Sequence, residues 1–224
     1  MTTFFQTLEQ ETRRDRERLL NAPLVQEALS GQLNASQYIA FLRQAYHHVR
    51  HTTPLLMALG ARISQTHPWL MSAVAEYIEE EIGHEQWILN DIAVAGGDPL
   101  AAAEAKPAMA TEAMVAYAYY LIDRDNPIGF FGMVHVLEGT SVRVASEAAN
   151  RISESTGLPP EAFTYLQSHG ALDLEHVGHF EGLVNSLRRE EDRQAVLRGA
   201  RHFYAMYRAV FDTVIAPEER LIEA

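Results

Sequence analysis

The chain has 224 residues, 30 acidic against 18 basic side chains, a formal net charge of −12 and a hydrophobic fraction of 47%. Such a chain can bury a large core, so intrinsic disorder is excluded, and its acidity argues against nucleic acid or an anionic membrane as a partner. Because the sequence contains no cysteine, it also excludes disulfides, thiolate metal sites and a cysteine nucleophile, and we expect a cytoplasmic protein.

Apolar residues recur with the helical period in every long segment, and no segment alternates as a strand would. The pattern predicts helices, in chain order, at residues 3–20, 24–29, 34–64, 68–96, 109–123, 127–155, 161–187 and 190–215. Pro54 falls inside the third of them, where we expect a kink. None contains a run of about 18 apolar residues, so we expect no bilayer span. The sequence therefore predicts an all-α fold, a single domain of seven or eight bundled helices covering residues 1–224.

Two histidines and an aspartate in the predicted helix 161–187 share one face. At about 100° per residue, His169, Asp173 and His176 fall within an arc of roughly 60°. Three side chains that can bind a metal then point the same way from two turns of helix. This pattern indicates a metal site on that helix.

Two other predicted helices carry the same kinds of ligand. Glu81 and His84 are i, i+3 neighbours on a helix face, and Glu138 stands in a mostly apolar run. Each has a plainer explanation: the first pair could belong to a solvated acidic face, and Glu138 could be a buried acid paired with Arg143 or Arg151. A buried carboxylate without a partner is costly, however, and a bound cation accounts for all three clusters at once.

Together the three clusters supply three imidazoles and three carboxylates, oxygen and nitrogen donors that suit Fe(II), Mn(II) or Zn(II). Six protein ligands are more than one tetrahedral zinc ion needs, and they suit two metal ions with positions left open for O₂ or water. We therefore predict a two-metal site on three converging helices. Its carboxylates, Glu81, Glu138 and Asp173, are also the candidate catalytic residues.

The order of these clusters along the chain is a Glu-x-x-His pair, then a lone glutamate, then His-x₃-Asp-x₂-His. This order resembles the heme-oxygenase-like di-iron oxidases and oxygenases, a group that includes the chlamydial death-domain-associating protein and the fatty-acid decarboxylase UndA. The segments 20–25 and 31–48 also resemble the opening section of proteins in this superfamily. The resemblance implies the helical fold of TenA, PqqC and heme oxygenase, and an enzyme that activates O₂ with two iron ions, or with manganese and iron. At the positions that match the family pattern, the resemblance implies these metal ligands: Glu81, His84, Glu138, His169, Asp173 and His176.

Four histidines are candidates for an extra ligand or for a group that hydrogen-bonds a ligand: His47, His51, His135 and His179. The first two are i, i+4 neighbours in the region where some relatives are expected to carry another acid, and they could equally be polar surface groups. The other two each lie one turn from a proposed ligand, which favours a hydrogen bond to a ligand over metal binding. His67 and His202 are predicted to be ordinary surface histidines.

Aromatic side chains and one arginine are candidates for the wall of a substrate pocket: Tyr46, Tyr117, Tyr120, Phe130 and Arg143. Core packing explains the aromatic residues equally well, because aromatics dominate the cores of helical bundles. The arginine could meet an acidic group of the substrate or form a structural salt bridge. The sequence does not distinguish these alternatives.

Two other functions stay open. A metal-independent enzyme or binder of the TenA/PqqC type would use the same cavity for a small heterocycle. A non-enzymatic interaction protein would need an exposed apolar helix face, and the sequence shows none clearly. Heme is not expected, because heme oxygenase needs a proximal histidine on its first helix and no histidine precedes His47 here. The expected partners are O₂ and a small-molecule substrate, and a homodimer would suit the fold.

Overall fold

The computed structural model describes residues 2–215, except for the side chains of residues 169–177. Its α-helices are α1 (Phe4–Glu11), α2 (Arg13–Leu20), α3 (Pro23–Leu29), α4 (Ala35–Val49), α5 (Thr52–Ile63), α6 (Met71–Glu81), α7 (His84–Val94), α8 (Pro99–Glu104), α9 (Met109–Arg124), α10 (Phe131–Thr156), α11 (Thr164–Asn185) and α12 (Glu190–Ile215). Three 3₁₀ helices, Pro68–Leu70, Pro127–Phe130 and Pro160–Phe163, lead into α6, α10 and α11.

All regular structure in the described range is helical, so the predicted all-α fold is confirmed. The predicted number of helices, seven or eight, is too low. None of the helices in this range is both long enough and apolar enough to cross a membrane.

The additional helices arise because several predicted long helices are broken. The first is divided at Thr12, whose hydroxyl donates a 2.7 Å hydrogen bond to the carbonyl of Leu8. The third breaks between α4 and α5 instead of kinking at Pro54. Pro54 therefore stands in the first turn of α5, where its missing N–H interrupts no helical hydrogen bond.

The predicted helix 68–96 is also broken, between α6 and α7. Beyond it, the segment expected to be a loop contains α8. The Asp98 side chain caps this short helix by accepting hydrogen bonds from the backbone N–H groups of Leu100 and Ala101. A proline at the first helical position completes a start signal that the loop-like composition obscured.

Helix α10 lies at the centre of the bundle and packs against α3, α11 and α12. Its crossing with α12 depends on two glycines. A Cβ on Gly132 would collide with the backbone of Gly199 and Ala200 in α12. A Cβ on Gly199 would collide with the carbonyl of Gly129, in the 3₁₀ helix that leads into α10. The two helices therefore cross with their backbones in contact, which holds α10 rigidly against the core.

His67 was predicted to lie on the surface, and this is wrong. The residue is 3% exposed, and its Nε2 lies 3.0 Å from Oδ2 of Asp192, which is itself 2% exposed. Asn126 donates to the other carboxylate oxygen over 2.9 Å. One buried carboxylate thus connects the segment before α6, the segment before α10 and the first turn of α12. His202 is exposed, as predicted.

Candidate metal and substrate site

A cavity of about 150 Å³ lies between α3, α4, α5, α6, α10, α11 and α12. Helix α10 lines it from Met133 to Ile152, and most of the wall is apolar. The polar side chains of the wall are His48, Thr52, Tyr77, Glu81, Glu138, Thr140, Ser141, Tyr165 and Tyr207. Two of the sequence-predicted metal ligands, on different helices, therefore face the same largely apolar space.

Glu81 and His84 are the first and last residues of a tight turn between two helices. Helix α6 ends at Glu81, Ile82 has φ −63° and ψ 120°, Gly83 has φ 91° and ψ −1°, and α7 begins at His84. These angles are those of a type II turn, in which the second central residue is left-handed. The sequence predicted that this pair lies along one continuous helix, and this is wrong. The turn nevertheless brings Oε2 of Glu81 within 3.2 Å of Nδ1 of His84.

Both members of this pair are buried. Glu81 is 9% exposed and His84 is 3% exposed. The His84 ring stacks on Trp87, with 4.0 Å between ring centroids and 26° between ring planes. The stacking fixes the imidazole orientation, so its nitrogens are held in one direction. The burial contradicts a solvated acidic face for this pair.

Glu138, in the first third of α10, lines the cavity wall. The arginines that could have paired with it bind other carboxylates. Arg143 donates to Glu9 over 2.9 Å and to the carbonyl of Gly139, and Arg151 lies 3.6 Å from Glu154. Arg143 is therefore a structural ion-pairing residue and does not line the cavity, where the sequence had placed it as a candidate.

Histidines 47, 48 and 51 point in three different directions. His48 is 2% exposed and lines the cavity, with its ring 5.7 Å from that of Tyr207. His47 packs against Tyr46, and Nδ1 of His51 lies 3.3 Å from the hydroxyl of Tyr119. Burial, and then the charge of Arg50, lowers the pKa of both His47 and His51. The imidazole that lines the cavity from α4 is thus His48, which the i, i+4 spacing of His47 and His51 did not indicate.

His135 lies on the side of α10 that faces α1 and α2. The rings of Phe5, Phe180 and Tyr204 surround it, and its Nε2 is 3.4 Å from the hydroxyl of Thr12. Burial, aided by the charges of Arg16 and Arg143, lowers the pKa of His135 to about 3. The ring therefore stays neutral at physiological pH. His179 is exposed.

Of the aromatic residues proposed for the pocket, Phe130 lines the cavity. Tyr46 lies beneath the guanidinium of Arg50, 5.4 Å from its ring centroid. Tyr117 shares a 2.6 Å hydrogen bond with His202, and Tyr120 is 53% exposed. The tyrosines that line the cavity are instead Tyr77, Tyr165 and Tyr207. Their helical spacing is the same as that of ordinary core residues, so the sequence pattern did not identify them.

The remaining predicted ligands lie on α11, and the start of that helix is well defined. Asp91 of α7 accepts hydrogen bonds from the backbone N–H groups of Thr164 (3.1 Å) and Tyr165 (2.8 Å). Burial raises the pKa of Asp91, and these hydrogen bonds partly offset the effect. The contact fixes α11 against α7. The side chains of His169, Asp173 and His176 lie outside the described part of the structure.

The described donors fit a hard or borderline cation. Glu81, His84, Glu138 and His48 offer carboxylate oxygens and imidazole nitrogens, the donors that Fe and Mn accept. Among the described side chains, no three or more His, Asp or Glu residues are grouped closely enough to hold a metal ion. A complete site therefore needs donors beyond these four, and the cluster predicted on α11 is the available source in the sequence.

A model of a family described as an iron-containing redox enzyme matches residues 39–208. No curated protein matches the chain. A solved domain of unknown function with a heme oxygenase-like fold, from Shewanella denitrificans, is 23% identical, with a TM-score of 0.86 over 94% of this chain and 91% of that one.

Two further solved structures are similar at lower identity. A TenA homologue from P. horikoshii is 12% identical, with a TM-score of 0.78 over 95% of this chain and 98% of that one. Heme oxygenase-1 from the cyanobacterium Synechocystis, solved in complex with heme, is 14% identical, with a TM-score of 0.72 over 95% and 92%. The fold is therefore that of heme oxygenase and TenA.

Proposed function

The chain belongs to the family of iron-containing redox enzymes, and we propose that it is a non-heme oxidase or oxygenase that activates O₂ with two iron ions, or with manganese and iron. The main support for this proposal is one structural observation. Glu81 and Glu138, predicted as ligands from sequence alone, approach the same apolar cavity from α6 and α10. A largely apolar cavity with carboxylates in its wall is suited to metal-assisted chemistry on an organic substrate.

The residues that would hold the metal ions are Glu81, His84, Glu138, His169, Asp173 and His176. Bound iron would supply the redox chemistry with O₂, which protein side chains cannot perform. The carboxylates would neutralise the positive charge in a region where an isolated charge is costly. The stacking of His84 on Trp87 orients one nitrogen donor before any metal is present.

The cavity would bind the substrate and exclude water. Its volume of about 150 Å³ is that of an apolar cavity that accommodates a ligand of the size of benzene. Apolar walls from α3, α5 and α10 would provide affinity, and the few polar groups would orient the ligand. His48 and Tyr207, in contact with each other on the wall, are the candidates for this orienting role.

Heme is a poor fit to the same space. Pockets for drug-sized ligands occupy roughly 300–1,000 Å³, and the cavity has about 150 Å³. The volume of the cavity favours non-heme iron over a porphyrin.

The test is metal analysis of the protein purified after expression in iron-rich medium, followed by O₂ uptake by the anaerobically reduced protein. We expect more than one equivalent of iron or manganese per chain, and O₂ uptake that depends on it. The variants Glu81→Ala and Glu138→Ala should lower metal affinity by at least about 10-fold. Glu79→Ala is the matched control, because Glu79 is exposed and two residues from Glu81.

Less than one equivalent of metal, with no O₂ uptake, would refute the proposal. An aromatic compound co-purifying with metal-free protein would instead support a metal-independent activity of the TenA/PqqC type. Metal binding that both variants retain at wild-type affinity would mean that the ligand assignment is wrong.

A further inference from the structure

We propose that Gly83 is a positioning residue of the candidate metal site, because its left-handed backbone sets the geometry of the Glu81–His84 pair. The inference rests on the proposed function, since it assigns Gly83 a role in metal binding. Gly83 has no side chain that could bind a metal, and it is not among the described residues that line the site's cavity. Its contribution would be the direction in which the chain leaves α6 and enters α7.

The two helices on either side of Gly83 have different neighbours. Helix α6 packs against α5, whereas α7 packs against α4, α11 and the 3₁₀ helix Pro160–Phe163. One continuous helix from residue 71 to residue 94 would be about 36 Å long and nearly straight, and it could not follow both sets of contacts. The chain also breaks between α4 and α5, so that α5 packs on α6 and α4 packs on α7.

The turn places the ligand pair at the junction between α6, which packs on α5, and α7, which packs on α4. Glu81 keeps its place in the cavity wall because α6 lies on α5. His84 and its stacking partner Trp87 both belong to α7, so the packing of α7 on α4 positions them together. The side chains of Glu81 and His84 meet at 3.2 Å across the turn. If Ile82 and Gly83 became helical, α7 would rotate and move relative to α6. His84 would then leave its present position relative to Glu81.

Only glycine adopts this conformation without strain. The φ of Gly83 is +91°, a value that L-residues with a side chain rarely take. An added Cβ would meet nothing within 4 Å. Substitution by alanine therefore tests the backbone conformation alone, without a steric collision.

The same chain provides a matched control. Gly96, just beyond the C-terminus of α7, has φ +88°, and a Cβ there would also meet nothing within 4 Å. Gly96→Ala should therefore carry a backbone penalty similar to that of Gly83→Ala, at a position away from the ligand pair. Gly83→Asn is the rescue variant, because asparagine adopts the left-handed region more readily than alanine does.

The experiment is a titration of the metal-free protein with Mn²⁺ or Co²⁺, followed calorimetrically and by the Co²⁺ absorption spectrum. The wild type and the three variants are compared, and each thermal midpoint is measured. We expect Gly83→Ala to weaken metal binding at least about 10-fold, as changes that misorient metal ligands do. Gly96→Ala should bind metal like the wild type although its midpoint falls similarly, and Gly83→Asn should recover most of the lost affinity.

Equal metal affinity in Gly83→Ala and the wild type would overturn this inference and leave the proposed function intact. Equal weakening by Gly83→Ala and Gly96→Ala would overturn it as well, because the loss would then follow from stability alone. A wild-type protein that binds neither Mn²⁺ nor Co²⁺ would refute the proposed function, and this inference with it.

Discussion

The protein should lose less stability at mildly acidic pH when His135 is replaced with glutamine. The imidazole lies in a cage of aromatic rings on the far side of α10 from the cavity, and burial lowers its pKa to about 3. Glu9 lies 3.6 Å away. Its carboxylate is engaged by Arg16 and Arg143, at 3.0 and 2.9 Å, so it does little to favour a proton on the ring.

The magnitude follows from the difference in pKa between the folded and unfolded states. An unfolded histidine titrates near pH 6.5, whereas the folded protein keeps this one neutral down to about pH 3. Below pH 6.5 the unfolded state therefore binds the additional proton, and stability falls progressively as the pH decreases through this window. At about 1.36 kcal/mol per pH unit, the group lowers the free energy of unfolding at pH 5 by about 2 kcal/mol.

The assay is urea unfolding at pH 7.5 and pH 5.0, followed by far-UV circular dichroism. Glutamine does not titrate, and its amide can take the place of the imidazole Nε2 beside Thr12. The loss between the two pH values should be about 2 kcal/mol smaller in His135→Gln than in the wild type. His202→Gln, at an exposed position, should behave like the wild type. An identical pH-dependent loss in His135→Gln and the wild type would show that the buried ring is not held neutral.

Three further predictions concern the core and the cavity. Asp192→Ala removes a buried hydrogen-bond acceptor and should lower the free energy of unfolding by about 3–5 kcal/mol. Asp125→Ala, which breaks an exposed ion pair, should lower it by less than about 1 kcal/mol. Urea denaturation measures both losses, and similar values would contradict the burial argument. Gly132→Ala should lower the free energy of unfolding by about 1–3 kcal/mol or more, because a methyl group there meets the α12 backbone. An unchanged thermal midpoint would mean that α10 and α12 do not cross so closely. Ala148→Leu places a larger side chain in the cavity wall. It should reduce substrate-dependent O₂ uptake and leave the metal content at the wild-type level. Unaffected uptake would mean that the substrate binds outside this cavity.

The helical nature of the chain could be predicted because the period of apolar residues is a local property of the sequence. The breaks could not, because they depend on packing between helices. The sequence around Gly83 continues the helical pattern on both sides, yet α6 and α7 diverge because they pack on different partners. Pro54 was expected to kink a helix, but the break falls at the preceding residues, which places the proline where it fits.

The candidate site was predictable to the extent that it depends on residue type and spacing. Glu81 and Glu138 were selected from the sequence, and both line the cavity. His48 was passed over in favour of His47 and His51 because i, i+4 spacing suggested a shared face. Helix α4 ends at Val49, so His51 lies beyond it and points elsewhere. The wall tyrosines have the same helical spacing as ordinary core residues, and nothing in their spacing marks them.

The sequence alone determined that this protein is an all-α bundle with donors for a metal site on three segments, because side-chain chemistry and helical period are written residue by residue. Only the tertiary structure decided which imidazole of α4 reaches the cavity, that His67 is buried against Asp192, and that Glu81 and His84 meet across a left-handed turn. Those outcomes depend on contacts between residues far apart in the chain, where helices must bend to share one core, and no local pattern encodes them.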